Sequence, residues 1–176
     1  MWVRLLLLFY SNLVLSSSNA QTSNIEKSGD IIQIALPITA FVSTFIWKDQ
    51  QKAPIQFVKT MGASFTITHA IKRLINKERP NGGDYSFPSG HTSAAFTGAA
   101  FIEKRYGLKV GVPSYLLASY VGWTRIESNH HDSWDVLGGA IVGIGSAYLF
   151  TRPFKNTNLD VGYLNKSPAL SLTIYL

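Results

Sequence analysis

The sequence predicts an all-α protein: a compact, membrane-embedded bundle of five to six helices, followed by a short C-terminal β-hairpin. Hydrophobic residues make up 46% of the 176 residues and charged residues only 15%, compared with about 25% charged residues in a typical soluble domain. Five apolar segments of helical length occupy the middle of the chain, and strand-like alternation is confined to residues 156–176. The chain has no cysteine, which excludes disulfides, thiolate-bound metals and a cysteine nucleophile.

Residues 1–20 are predicted to be a signal peptide. Arg4 supplies a positive charge, the apolar stretch Leu5–Leu15 follows it, and Ser18-Asn19-Ala20 has the small-x-small pattern of a cleavage site before Gln21. The alternative is an uncleaved first transmembrane helix, although a span needs about 20 apolar residues. Either role directs this end of the chain to a membrane, which argues against an intracellular nucleic-acid-binding protein.

Residues 21–155 are predicted to form one helical domain. Its apolar segments lie at Ile31–Trp47, Pro54–Ile71, Thr92–Ile102, Val110–Trp123 and Val136–Phe150. Small residues recur four apart at Ala94/Gly98, Ala95/Ala99 and Gly139/Gly143, a spacing that lets helix backbones approach closely. Because most segments are shorter than a full span and the mean hydropathy is only +0.11, a peripheral bundle is the alternative to an integral one.

The tail, residues 156–176, is predicted to be a β-hairpin. Apolar residues alternate with polar or small ones on both sides of a turn at Asn165–Pro168, at Leu159, Val161, Tyr163, Leu170, Leu172, Ile174 and Leu176. A lone hairpin is marginally stable in water, so we expect it to pack on the bundle, on the membrane surface or on a second copy. No chemistry is predicted for it.

The net charge of +6 and the pI of about 9.6 indicate an anionic partner, which could be nucleic acid, anionic lipid or phosphate. Several basic residues fall in one alternating set of loops, as expected for the cytoplasmic side of a membrane protein. A second basic cluster, at residues 72–79, lies in a loop of the opposite, exported set. The preference of basic residues for cytoplasmic loops does not explain that cluster.

The first polar motif contains Lys72 and Arg79, followed by Pro80. These two cations are seven residues apart, so they share one face if the helix continues to Pro80. A pair of cations can hold a phosphate, with arginine supplying a planar bidentate fork. The alternative is a basic collar beside the membrane.

The second polar motif is Ser89-Gly90-His91, within a turn that precedes an apolar helix. The free N–H groups of a helix N-terminus form an anion site, and Gly90 lets a ligand approach the backbone. His91 adds a group that exchanges a proton near neutral pH. The alternative is an N-capping serine followed by a histidine without a catalytic role.

The third polar motif contains Arg125, His131 and Asp135. His131 and Asp135 are four residues apart at the start of the last helix, so the carboxylate can fix the imidazole tautomer and leave the other nitrogen free to attack. The alternative is a capping box formed by Asp132 and Asp135. A metal site is disfavoured because the adjacent histidines at 130 and 131 point apart, and Glu127, His130 and Asp132 are assigned to structural roles.

Because successive helices run in opposite directions, we expect the three motifs to lie at the same end of the bundle. The residues gathered there are Lys72, Arg79, Ser89, Gly90, His91, Arg125, His131 and Asp135. Cations, a helix N-terminus and two histidines in one place are what phosphoryl transfer through a covalent histidine requires.

The spaced motifs resemble the signature of the type 2 phosphatidic acid phosphatase and vanadium haloperoxidase superfamily, over residues 26–153. The resemblance implies that His131 is the nucleophile, that Asp135 orients it and that His91 is the general acid. It also implies phosphoryl binding by Lys72, Arg79, Ser89, Gly90 and Arg125, with no metal or other cofactor. One departure is Thr124, where the family usually has serine; the hydroxyl is kept.

The expected function is therefore a metal-independent phosphatase that hydrolyses a lipid phosphate or pyrophosphate through a phosphohistidine. Substrates of this kind include undecaprenyl pyrophosphate, phosphatidic acid and phosphatidylglycerophosphate. The expected location is the bacterial inner membrane with a periplasm-facing site and no nucleic-acid partner. The alternatives are a periplasmic phosphatase of soluble phosphomonoesters, a vanadate-dependent haloperoxidase and a non-catalytic binder of anionic lipids. Neither the oligomeric state nor the substrate is indicated.

Overall fold

The computed structural model describes residues 2–47, 51–154, 157–164 and 167–174, with side chains for 23–47 and 51–154. Over these ranges the chain forms five helices and two strands: α1 Trp2–Ile46, α2 Ala53–Ile75, α3 Gly90–Tyr106, α4 Leu108–Glu127, α5 Ser133–Phe150, β1 Thr157–Leu164 and β2 Ser167–Ile174. The predicted all-α bundle is confirmed.

Helix α3 is the centre of the bundle, since it packs against each of the other four helices. Its small residues Ala95 and Ala99 are fully buried and meet Leu36 of α1 and Val121 of α4. Nearer the other end, Phe101 packs edge-on against Phe57 of α2. A central helix with small side chains allows its neighbours to approach closely.

The contact between α3 and α5 depends on glycine, as the four-residue spacing predicts. A Cβ atom on Gly139 would lie 2.5 Å from the carbonyl oxygen of Ser89, and one on Gly143 would lie 2.6 Å from that of Ser93. The Ser89 amide also donates a hydrogen bond of 2.8 Å to the carbonyl oxygen of Asp135. The starts of α3 and α5 are therefore held together.

Two helical segments within the described residues are long and apolar enough to cross a membrane, Ser23–Ile46 and Ser133–Phe150. Large apolar side chains are also exposed on the outer faces of the bundle, among them Ile31, Phe65, Leu116 and Leu149. Exposed apolar faces of this extent are typical of contact with a membrane or a partner.

Helix α1 is longer than the predicted segment Ile31–Trp47, because it continues without a break from Trp2. Cleavage after Ala20 stays a prediction. Helix α2 runs four residues beyond the predicted segment Pro54–Ile71: it stops at Ile75, where Asn76 adopts a left-handed conformation with φ 40° and its N–H bonds to the Lys72 carbonyl oxygen. The helix therefore does not continue to Pro80, and the condition under which Lys72 and Arg79 would share one helical face is not met.

The C-terminal strands pair antiparallel, as the alternation in the tail predicts. Leu159 pairs with Leu172 and Val161 with Leu170. The predicted turn at 165–168 is too long, since β2 already begins at Ser167. Residues 165, 166 and 176 of that prediction lie outside the described residues.

Candidate active site

All eight site residues predicted from the sequence lie at one end of the bundle. His131 interacts electrostatically with Lys72 and Arg79, and His91 with Arg79 and Arg125. The remaining members are linked by direct contacts: Gly90 faces the Lys72 stem, the Ser89 amide bonds to Asp135, and Asp135 faces His131.

His131 lies just before α5 with its side chain only 3% exposed, and its Nδ1 is 3.4 Å from Oδ2 of Asp135. The Ser86 hydroxyl lies 3.3 Å from the same Nδ1 and donates a hydrogen bond to Oδ2 of Asp135. The Asp135 carboxylate and the Ser86 hydroxyl both face Nδ1 of the imidazole ring. Nε2 is therefore the nitrogen that remains available to attack a substrate.

The surroundings of His131 keep its imidazole neutral. Burial, followed by the positive charges of Lys72 and Arg79, lowers the pKa of His131 from 6.5 to about 4, although Asp135 acts in the opposite direction. Neutral imidazole has a free electron pair, whereas imidazolium does not. The site therefore holds a nucleophilic nitrogen next to the cations that would hold a phosphate.

The start of α5 is a capping box, as the alternative interpretation of this motif predicts. Asp132 is the N-cap and accepts hydrogen bonds of 3.0 Å from the amides of Trp134 and Asp135. The Asp135 carboxylate in turn accepts a hydrogen bond of 3.0 Å from the backbone amide of Asp132. Asp135 thus caps the helix and faces His131 with the same carboxylate, so the two interpretations are compatible.

Lys77 and Ser86 contact this carboxylate, and neither is among the predicted site residues. Lys77 Nζ lies 2.5 Å from Oδ2 of Asp132 and 2.9 Å from Oδ1 of Asp135. Both residues reach α5 because the loop after α2 folds back on itself, with the Ser86 amide bonded to the Lys77 carbonyl oxygen at 2.7 Å. No spacing rule indicates such a contact, since it depends on the path of the loop.

The start of α3 has the predicted serine cap. The Ser89 hydroxyl accepts hydrogen bonds from the Thr92 amide at 3.4 Å and from the Thr92 hydroxyl at 2.9 Å. Lys72 reaches across this turn and donates to the carbonyl oxygens of Tyr85 and Ser86. Its ammonium group is thereby held beside the free amides at the helix N-terminus.

Two arginines complete the set of cations. Arg79 lies in the loop after α2, where its Nε donates a hydrogen bond of 3.0 Å to the Asp84 carbonyl oxygen. Arg125, at the end of α4, is almost fully buried, and its Nε donates to the hydroxyl of Thr124 at 3.2 Å. The substituted threonine therefore keeps a polar contact with the arginine. Among the described residues, no group of three or more His, Asp or Glu side chains is arranged to hold a metal ion.

Comparison with known proteins gives consistent matches. The family model described as the PAP2 superfamily matches residues 47–158. A lipid A 4'-phosphatase of Helicobacter pylori is 27% identical over 143 residues, which cover 74% of this chain and 71% of the relative.

Two solved structures share the fold. Aquifex aeolicus LpxE superposes with a TM-score of 0.64 at 20% identity, covering 74% of this chain and 84% of that one. A transmembrane PAP2-type phosphatidylglycerolphosphate phosphatase from Bacillus subtilis gives a TM-score of 0.56 at 20% identity, covering 79% and 85%. The family model spans more than half of the sequence, and the chain therefore belongs to the PAP2 superfamily.

Proposed function

We propose that this chain is a metal-independent membrane phosphatase that hydrolyses a lipid phosphate or lipid pyrophosphate through a phosphohistidine at His131. The observation that carries the proposal is a buried, neutral imidazole whose Nδ1 faces Asp135 and Ser86 and whose charge state is set in part by Lys72 and Arg79. A nucleophile beside two phosphate-binding cations suits phosphoryl transfer, in which the protein mainly positions groups and neutralises charge.

In the first step, Nε2 of His131 attacks phosphorus and forms an N–P bond. The P–O bond to the leaving group breaks, its electron pair stays on the leaving oxygen, and His91 gives that oxygen a proton. In the second step, water attacks phosphorus and gives a proton to His91. The N–P bond then breaks, which releases phosphate and restores both histidines.

The cations act on the phosphoryl oxygens in both steps. Lys72 and Arg79 approach from α2 and its loop, and Arg125 approaches from α4. Free amides at the start of α3, next to Ser89 and Gly90, add donors aimed at the same charge. Such fixed donors stabilise developing negative charge without rearranging during the reaction.

A lipid substrate fits the exterior of the bundle and the relatives. Apolar side chains are exposed on the outer faces of the helices, and two helical segments are long and apolar enough to span a bilayer. Lipid A is the substrate named for the Helicobacter pylori relative, and phosphatidylglycerolphosphate for the Bacillus subtilis one. We place the site at the periplasmic surface, where the export signal and the basic cluster at 72–79 predict it.

The test is phosphate release by the purified full chain in detergent micelles, for wild type and His131→Ala, with and without EDTA. The panel contains lipid A, phosphatidic acid, phosphatidylglycerophosphate, undecaprenyl pyrophosphate and p-nitrophenyl phosphate. We expect wild type to hydrolyse at least one lipid with or without EDTA, and His131→Ala to be slower by about 10³-fold or more.

Three outcomes would contradict the proposal. Full turnover by folded His131→Ala would exclude a phosphohistidine at this position. Hydrolysis of p-nitrophenyl phosphate with no lipid turned over would identify a soluble phosphomonoesterase. Bromide oxidation by peroxide after addition of vanadate, without hydrolysis of any phosphoester, would identify a haloperoxidase.

A further inference from the structure

Asp30 of α1 lies against two of the site residues and belongs to none of the sequence motifs. Its Oδ1 is 2.9 Å from a terminal guanidinium nitrogen of Arg125 and 3.3 Å from Nε2 of His91. That oxygen is buried, although the side chain as a whole is 43% exposed. The carboxylate therefore points inward, between the two groups.

The position of Asp30 is fixed by close packing of α1 against α4. A Cβ atom on the preceding residue, Gly29, would overlap the Thr124 hydroxyl and lie 2.9 Å from Arg125. One turn earlier, the Glu26 carbonyl oxygen accepts a hydrogen bond of 2.8 Å from Arg125. Since these contacts hold the turn of α1 that precedes Asp30 against α4, they fix the position of the Asp30 carboxylate.

We propose that Asp30 is a positioning residue for the general acid, His91, an inference that rests on the function proposed above. The Asp30 carboxylate orients the His91 ring through Nε2 and favours the imidazolium form. Nδ1 is then the nitrogen that protonates the leaving oxygen. This arrangement parallels the pair formed by His131 and Asp135, with the opposite purpose of keeping a proton on the ring.

The charges around His91 explain why such a carboxylate is needed. Burial, followed by the charge of Arg125 of α4, lowers the pKa of His91, and Asp30 of α1 acts in the opposite direction. Arg79 of the loop after α2 and His130 of the loop before α5 also act on its imidazole. Of these four groups, only Asp30 is an anion. Without it, a protonated His91 would keep Arg79 and Arg125 as charged neighbours and have no anion beside it, so the proton needed by the leaving group would be lost at lower pH.

The experiment compares Asp30→Asn with Glu26→Gln, a matched loss of one carboxylate one turn away on α1, where the side chain pairs with His130. Both kcat and KM are measured from pH 5 to 9 with the substrate that wild type hydrolyses fastest. We expect Asp30→Asn to lower kcat about 10-fold and to move the alkaline limb of kcat about one unit toward lower pH. KM should change less than about 3-fold, and Glu26→Gln should keep the wild-type limb.

Asp30→Glu, which retains the charge, is the second variant and should keep the wild-type alkaline limb with a lower kcat. An unmoved limb in folded Asp30→Asn, or a moved limb in Asp30→Glu, would overturn the inference. A lower KM with a higher kcat/KM in Asp30→Asn would also overturn it, because Asp30 would then be an anion that competes with phosphate for Arg125. Failure of the proposed function is distinguishable, since wild type would be inactive or His131→Ala active.

Discussion

Lys77 donates a hydrogen bond of 2.9 Å to Oδ1 of Asp135, the carboxylate whose other oxygen faces His131 at 3.4 Å. The negative charge of Asp135 is therefore shared between a lysine and an imidazole. Partial burial alone would lower the pKa of Lys77, but its hydrogen bonds to Asp132 and Asp135 outweigh that effect and raise it. The lysine thus stays charged and limits how strongly Asp135 favours a protonated His131.

Replacement of this lysine should change the charge state of His131, the proposed nucleophile. In Lys77→Met the whole charge of Asp135 acts on His131, so we expect the pKa of His131 to rise and the acid limb of kcat/KM to move about one unit toward higher pH. The measurement is the pH profile of kcat/KM from pH 3.5 to 8. Lys109→Met removes an equal charge from an exposed position on α4; if both variants shift the limb equally, the effect is general and the contact to Asp135 does not cause it.

The wild-type enzyme should stay active in acid. A protonated His131 has no electron pair with which to attack, so activity is lost as the pH falls through its pKa. Because that pKa is lowered from 6.5 to about 4, the acid limb of kcat/KM should lie near pH 4. A limb near pH 6.5 would show that the nucleophile is an ordinary exposed histidine. The profile is to be measured together with the melting temperature, so that acid unfolding is recognised.

The orienting role proposed for Asp135 predicts a loss in kcat with little change in KM. In Asp135→Asn the negative charge beside His131 is lost, so the positive charge that develops on the ring during attack is less stabilised, and we expect kcat to fall about 10³-fold. The amide oxygen can still accept a hydrogen bond from the Asp132 backbone N–H, so the capping box should survive. Steady-state rates and the melting temperature of the two proteins give the comparison. Equal kcat values in folded protein would leave Asp135 with the capping role alone.

The helical scaffold was largely predictable because apolar segments, turn residues and four-residue spacings of small residues are local signals. Alternation of the helices then placed Lys72, His91 and His131 at one end, where the structure has them. Whether α2 continues to Pro80 was left open by the sequence, since its end depends on the left-handed conformation of Asn76, which a sequence window does not reveal.

The contacts that surround the predicted site were not predictable in the same way. Ser86 reaches His131 across 45 positions, Lys77 reaches Asp135 across 58, and Asp30 reaches Arg125 from another helix. None of these pairs follows a helical or strand period. They arise from the path of one loop and from the close packing of α1 on α4, which only the assembled fold defines.

Close packing between α3 and α5 should matter for activity as well as stability. In Gly139→Ala the new methyl group would press on the Ser89 carbonyl oxygen, so we expect a loss of about 1–3 kcal/mol in the free energy of unfolding and a lower kcat. Gly145→Ala is the matched control on the same helix, because its Cβ would meet open space. Thermal melting and phosphate release are measured on both; equal behaviour of the two variants would contradict the packing argument.

The most direct test of the central claim is to trap the phosphorylated protein. Wild type is mixed with a ³²P-labelled lipid phosphate that it hydrolyses, quenched in alkali within milliseconds and digested for peptide mapping. We predict a base-stable, acid-labile label on the peptide that contains His131, present in wild type and His130→Ala and absent in His131→Ala. Label on His91 or His130, or undiminished labelling of His131→Ala, would contradict the account.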